Sequence, residues 1–118
     1  MSAEEDEPAS VKPEPFVQQL PQDATPYLSL LKPGISVKLH SGYVCLDPGA
    51  NVGEHSTENY EELLVVLSGS GEVETEGVST RRPIAANQVA YNPPHTTHNV
   101  FNTGSEPLRY IYIVTPVE

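Results

Sequence analysis

Apolar and polar positions alternate along this chain in short runs, and no long stretch carries the rhythm of an amphipathic helix. Gly, Pro and Asn bound the runs, which is the punctuation of an all-β protein. Tyr27 to Leu31 reads as a strand or a short turn, closed by Lys32-Pro33-Gly34, a type II turn signature. Ile35 to Leu46 is the first long strand predicted. On it Val37, Leu39, Tyr43 and Cys45 share one parity, and Lys38, His40, Val44 and Leu46 the other. Glu61 to Ser68 (EELLVVLS) is apolar on both parities: Leu64 and Val66 fall on the face of Glu62, while Leu63, Val65 and Leu67 point the other way. Such a strand must be covered twice. One cover is a barrel interior; the other is a second sheet, the N-terminal segment or a subunit partner, and a homodimer is the expectation. Glu72 to Thr75 and Val78 to Arg81 predict a polar hairpin around Glu76-Gly77. Val89 to Asn92 is a strand stopped by Pro93-Pro94, which cannot donate to a ladder. His98 to Asn102 and Leu108 to Val114 (LRYIYIV) are the last two strands.

Length and composition narrow the class. A chain of 118 residues holds one barrel or sandwich core and is too short for two. Residues 1–15 are acidic and Pro-rich with almost nothing to bury, so they are predicted to form a disordered tail, with residues 16–118 as the barrel domain. Phe16, Val17 and Leu20 then offer a short apolar patch to a sheet face or a neighbouring subunit. The net charge of −10 argues against nucleic acid and against an anionic membrane as partners. Cys45 is the sole cysteine, so no intrachain disulfide forms; it reads as a small core hydrophobe in a reducing compartment. No apolar signal region follows Met1, and no apolar run nears the ~18 residues of a membrane span. A soluble, cytoplasmic protein is expected.

Candidate chemistry gathers in residues 49–102, which hold three of the four histidines. His55 and Thr57 are two apart and share a face if the chain is extended there. Glu62 follows after Glu58-Asn59-Tyr60-Glu61, enough chain to reverse direction and bring a carboxylate beside His55. His98, sharing parity with Val100 and Asn102, can approach from the other half of a barrel. Two imidazoles and a carboxylate suit Fe, Mn, Ni, Cu or Zn as divalent ions. Scattered polar residues of a β-protein are also ordinary surface or hydrogen-bonded positions, so spacing alone leaves both readings open.

Gly49 to Gly69 resembles the first motif of the cupin superfamily, G-(x)5-H-x-H-(x)3,4-E-(x)6-G, with Gly49, His55, Glu62 and Gly69 on its positions. Asn87 to Asn102 resembles the second, G-(x)5-P-x-G-x-x-H-x-x-x-N, through Pro93, His98 and Asn102. The resemblance covers roughly residues 35–115. It implies an all-β cupin-type double-stranded β-helix, a jelly-roll barrel, with a metal site inside. Two departures fall at the chemistry: Thr57 stands where the motif has its second histidine, and His95 where it has a glycine. Three arrangements remain open. His95 supplies the missing imidazole to a set of His55, Glu62, His95 and His98; or His55, Glu62 and His98 act alone; or the barrel binds no metal. Glu61 has the opposite parity to Glu62 and should face away. His40 lies on another strand, outside the set. Tyr91, Asn92, Tyr110 and Tyr112 read as packing or structural residues and Asn102 as structural, while Thr57 is placed to hydrogen-bond a metal-bound water.

The cupin barrel hosts dioxygenases, isomerases, lyases and pure binding modules, so the fold does not give the reaction. The resemblance implies a small metal-binding protein, read first as a metal-dependent enzyme acting on a small oxygen-bearing substrate. A non-catalytic metal- or small-molecule-binding module is the alternative. No residue outside the metal set stands out as a general acid or base.

Overall fold

The alternating runs become nine strands in the computed structural model, which describes residues 12–118 and contains no helix among them. They are β1 (Tyr27–Leu31), β2 (His40–Leu46), β3 (His55–Ser56), β4 (Tyr60–Ser68), β5 (Ser70–Thr75), β6 (Arg82–Ala85), β7 (Val89–Asn92), β8 (Thr97–Phe101) and β9 (Leu108–Pro116). Two antiparallel sheets result, β1-β2-β9-β4-β7 and β3-β8-β5-β6. The core lies between them. Val44, Leu64, Val66, Leu108 and Tyr110 from the first sheet meet Val73, Ile84 and Val100 from the second. The predicted all-β jelly-roll architecture is therefore the observed one. The expected tail, residues 1–15, lies mostly outside the described residues; residues 12–26 carry no regular secondary structure.

Two strand expectations are corrected. The long strand predicted from Ile35 begins only at His40, because the Pro33-Gly34 turn keeps curling. Ile35 N donates to Lys32 O at 3.0 Å, Ser36 N to the same oxygen at 2.9 Å, and Gly34 sits at φ 101°. Ile35, Val37 and Leu39 are left exposed. The hairpin partner of β5 is Arg82–Ala85, not Val78–Arg81, since residues 76–81 form a longer connection. Pro83 is tolerated because β6 is the edge of its sheet. The Pro93-Pro94 break falls as expected at the end of β7, also an edge strand.

Register decides what faces inward. Across the five-stranded sheet Glu62 pairs with Val114, and Val114 with His40; Leu64 pairs with Tyr112, and Tyr112 with Gly42; Val66 pairs with Tyr110, and Tyr110 with Val44. These inward rows line the barrel. Gly42 has a packing reason: a Cβ there would lie 2.6 Å from the Tyr112 ring, which lies across the bare backbone. On the outer side, Arg109 Nη2 donates to Asp23 O at 3.2 Å and Cys45 N to Pro26 O at 2.9 Å, holding residues 23–26 alongside β2 and β9. Tyr43 and Cys45 are buried on that side.

Candidate metal centre

β3 pairs with β8 so that His55 stands directly opposite His98, their ring centroids 4.3 Å apart. Glu62, on the inward parity of β4, reaches the same point from the other sheet. Its Oε1 lies 2.9 Å from His98 Nε2 and accepts a hydrogen bond from Asn92 Nδ2 at 3.0 Å. Glu62, His98 and Asn92 are all buried, whereas His55 is on the exposed side of the cluster. Asn92 pairs with Glu62 across the β4–β7 ladder, so the carboxylate is held by the sheet register itself.

The two imidazoles are oriented by one device used twice. His55 Nδ1 is 2.8 Å from the carbonyl of Gly53, and His98 Nδ1 is 3.2 Å from that of Thr96, each two residues upstream. A carbonyl accepts only, so each Nδ1 carries a proton and turns its Nε2 away from that carbonyl, the Nε2 of His98 towards Glu62. Such an outer bond is how metal-binding histidines are commonly fixed. The Gly53 carbonyl is itself secured: Gly53 N donates to Asn99 Oδ1 at 3.0 Å, and Asn99 Nδ2 donates to Asn51 Oδ1 at 3.0 Å. Burial works against a charged ring at His98, but the hydrogen bond and charge of Glu62, with the Thr96 carbonyl, raise it above the ordinary imidazole range. The Glu62–His98 contact is thus a hydrogen bond that a bound cation would have to replace.

The donor chemistry fits a divalent ion. Ligands at right angles around an ion at about 2.1 Å stand about 3.0 Å from each other, and Glu62 Oε1 and His98 Nε2 are separated by 2.9 Å. Among the described residues no three His, Cys, Asp or Glu side chains are already grouped as a metal cage. Glu62 and His98 meet through their hydrogen bond, and the His55 ring stands against that of His98.

This cluster forms one end of a cavity of about 680 Å³. Its walls are apolar or aromatic, with Val44, Leu46, Leu64 and Val100 beside Tyr27, Tyr60, Tyr110 and Tyr112. Burial drives the Tyr110 phenol well above its usual range; burial and the Tyr27 hydrogen bond do the same to Tyr112. Tyr27 Oη and Tyr112 Oη are 2.6 Å apart, one donating to the other. His40, left out of the candidate set, does line the cavity, its ring set edge-on to Tyr60 at 5.6 Å.

His95 is not brought to the cluster. Its residue is exposed and does not line the cavity, and its backbone adopts φ 54° while its N–H donates to Glu58 O at 2.7 Å. The motif has glycine here, and the left-handed conformation that glycine favours is what the turn uses. That turn interrupts strand alternation, so a three-residue offset from His98 no longer implies a shared face. Thr57 is also corrected. It lines the cavity, but its hydroxyl donates to Pro93 O at 2.7 Å and accepts from Thr96 N at 3.0 Å, pinning the 93–96 turn. Asn102 is structural as expected, its Nδ2 bonding Leu46 O at 2.9 Å and Glu106 O at 2.8 Å. Tyr91 bonds Glu61 at 2.9 Å on the outer face, away from the site. Asn92 is structural as expected, and Asn99 is the support that sequence reasoning missed.

Two facing antiparallel sheets enclosing an open cavity, with histidines entering from one and a glutamate from the other, define a double-stranded β-helix barrel with an internal binding site. The chain belongs to the cupin family: the cupin domain model matches residues 42–114. It is 30% identical over 69 residues to an oxalate-binding protein of Thermotoga maritima, covering 58% of this chain and 55% of that one, so the match spans about half of the relative. A predicted oxalate decarboxylase from Thermotoga maritima superposes with a TM-score of 0.70 at 26% identity, over 77% of this chain and 79% of that one. A cupin 2 conserved barrel domain protein from Salinispora arenicola gives 0.71 at 22% identity, over 88% and 91%. Among the described residues no helix is long and apolar enough to cross a membrane.

Proposed function

We propose that His55, Glu62 and His98 hold one divalent transition-metal ion, Fe, Mn, Ni, Cu or Zn, and that the chain is a metal-dependent enzyme acting on a small oxygen-bearing substrate. Dioxygenase, isomerase and lyase chemistry all fit. The observation that carries this reading is the Glu62–His98 contact at 2.9 Å, with both imidazoles fixed through Nδ1. Relatives named for oxalate support an oxygen-bearing ligand. When bound, the ion supplies a Lewis acid with positions open to substrate oxygen. The chain's own residues do the rest. Asn92 keeps Glu62 oriented, the Gly53 and Thr96 carbonyls orient the two imidazole rings, and Val44, Leu64 and Val100 give the cavity an apolar wall. A binding module without turnover is the second reading, favoured by a cavity wall made mostly of aliphatic and phenol side chains. Oxygen uptake and product analysis on metal-loaded protein separate the two. Turnover lost in Glu62→Gln supports the enzyme; metal binding with no turnover across phenolic and keto substrates supports the module.

We also propose a homodimer through the outer face of the five-stranded sheet. There Leu63 pairs with Ile113 and Tyr91, and Val65 with Ile111 and Val89, giving two apolar cross-strand rows in which Leu63, Tyr91 and Val89 are exposed and the rest half-buried. Rows of this kind invite a partner. Sedimentation at micromolar concentration tests it, and a monomer there counts against it.

A further inference from the structure

The six lysines and arginines of the chain are all placed, and none lines the cavity. Arg81 bridges Glu72 and Glu74, Arg82 donates to Thr75 Oγ1, Arg109 holds Asp23, and Lys12, Lys32 and Lys38 are exposed at the surface. The ionisable groups that do line it include two carboxylates, Glu58 and Glu62. A small dianion such as oxalate needs charge-assisted donors when it leaves water, and Arg or Lys ordinarily supplies them. Among the described residues the only cation beyond the imidazoles would be an ion held by the proposed metal set, neutralised in part by Glu62. The space is wrong as well. A cavity of about 680 Å³ sits within the ~300–1,000 Å³ range of sites for drug-sized ligands.

What the wall offers instead is apolar area and one hydrogen-bonding group. Val44, Leu64 and Val100 face the rings of Tyr60, Tyr110 and Tyr112. Tyr27 and Tyr112 stack at 6.4 Å between centroids and share one hydrogen bond, so two hydroxyl protons serve one internal acceptor and one proton stays free to donate. Gly42 keeps the Tyr112 ring in that place, since any side chain would collide with it. We propose that this cavity takes an uncharged, ring-bearing ligand, its ring against the Leu64–Tyr110 wall and an acceptor oxygen on the Tyr27–Tyr112 pair, rather than a small dicarboxylate. The inference rests on reading this cavity as the substrate site, and it names the class of substrate.

The test compares 2-naphthol with oxalate by calorimetric titration at neutral pH, on metal-stripped and metal-loaded protein. The expected result is 2-naphthol bound in both forms, at least about tenfold more tightly than oxalate in the loaded form. Tyr27→Phe and Tyr112→Phe combined should weaken 2-naphthol by about fivefold, the value of one hydrogen bond. Oxalate binding as tightly as 2-naphthol, no 2-naphthol binding at all, or an affinity unchanged when Tyr27→Phe and Tyr112→Phe are combined overturns the proposal. Comparing the two ligands on the wild-type chain keeps the test decisive if the variant folds poorly. The outcomes also separate from the metal reading. Binding of 2-naphthol by a protein that takes up no metal sinks the metal site and leaves this inference standing; metal uptake with a preference for oxalate does the reverse.

Discussion

On β4, Glu62, Leu64 and Val66 turn inward and are 7%, 1% and 2% exposed, whereas Leu63 and Leu67 turn outward and keep 37% and 38% of their surface. The side chains of the two faces are nearly the same; the pleat alone assigns them. The inward face carries both the core and the carboxylate of the site, so stability and chemistry share one set of residues. The outward face carries aliphatics that the described chain does not cover. The outer face of the other sheet is built differently. There Arg81 lies 3.7 Å above the Phe101 ring and bridges Glu72 at 3.6 Å and Glu74 at 3.4 Å, laying charge over the aromatic surface. One outer face is finished for water and the other is not, which is why a second copy is assigned to the sheet containing β4.

Substitutions on the two faces should break this contrast unequally. Leu64→Ala empties the middle of the core and should cost about 2–5 kcal/mol, read as a lowered urea midpoint, whereas Leu63→Ala in the monomer should cost about 1 kcal/mol or less. Equal losses would mean that the outer face is buried within the protomer. Asn92→Ala comes next. It takes the amide donor from a buried carboxylate and should cost about 1–3 kcal/mol in the metal-free protein, while leaving the dimer intact by sedimentation. Val65→Lys should dissociate the dimer and change monomer stability by about 1 kcal/mol or less; a dimer that survives it rules out this face. The smallest effect is expected at the tail, where deleting residues 1–15 should move the melting temperature by no more than about 3 °C. A larger fall would make the tail part of the fold.

How much of this was readable beforehand varies with the physics involved. Parity within a strand is local, so the assignment of Val44 against Cys45, or Leu64 against Leu63, follows from the sequence once the strand is granted. The two motifs located Glu62 and His98 with the gaps that the structure uses. Residues 35–39 were misread because their alternation is real, yet the Lys32 carbonyl captures two amides and keeps the chain in its turn. His95 was misread for a related reason. Its motif position is a glycine position, and glycine there marks a left-handed backbone more than an empty side-chain slot; φ 54° at His95 follows that requirement, as φ 71° does at Asn87. Thr57 could not be placed from spacing, since its hydroxyl serves a turn nearly forty residues away in sequence. The network of Asn51, Gly53 and Asn99 that steadies His55 likewise depends on the β3–β8 register.

The central claim, that three side chains and not four hold the metal, is tested most directly by metal content per chain after loading and desalting. The wild type is expected to retain about one divalent ion, His98→Ala and Glu62→Gln to lose it by about tenfold or more, and His95→Gly to keep it in full while gaining the backbone freedom its turn favours. A folded His98→Ala protein with full occupancy, or a His95→Gly protein without metal, would contradict the site built here.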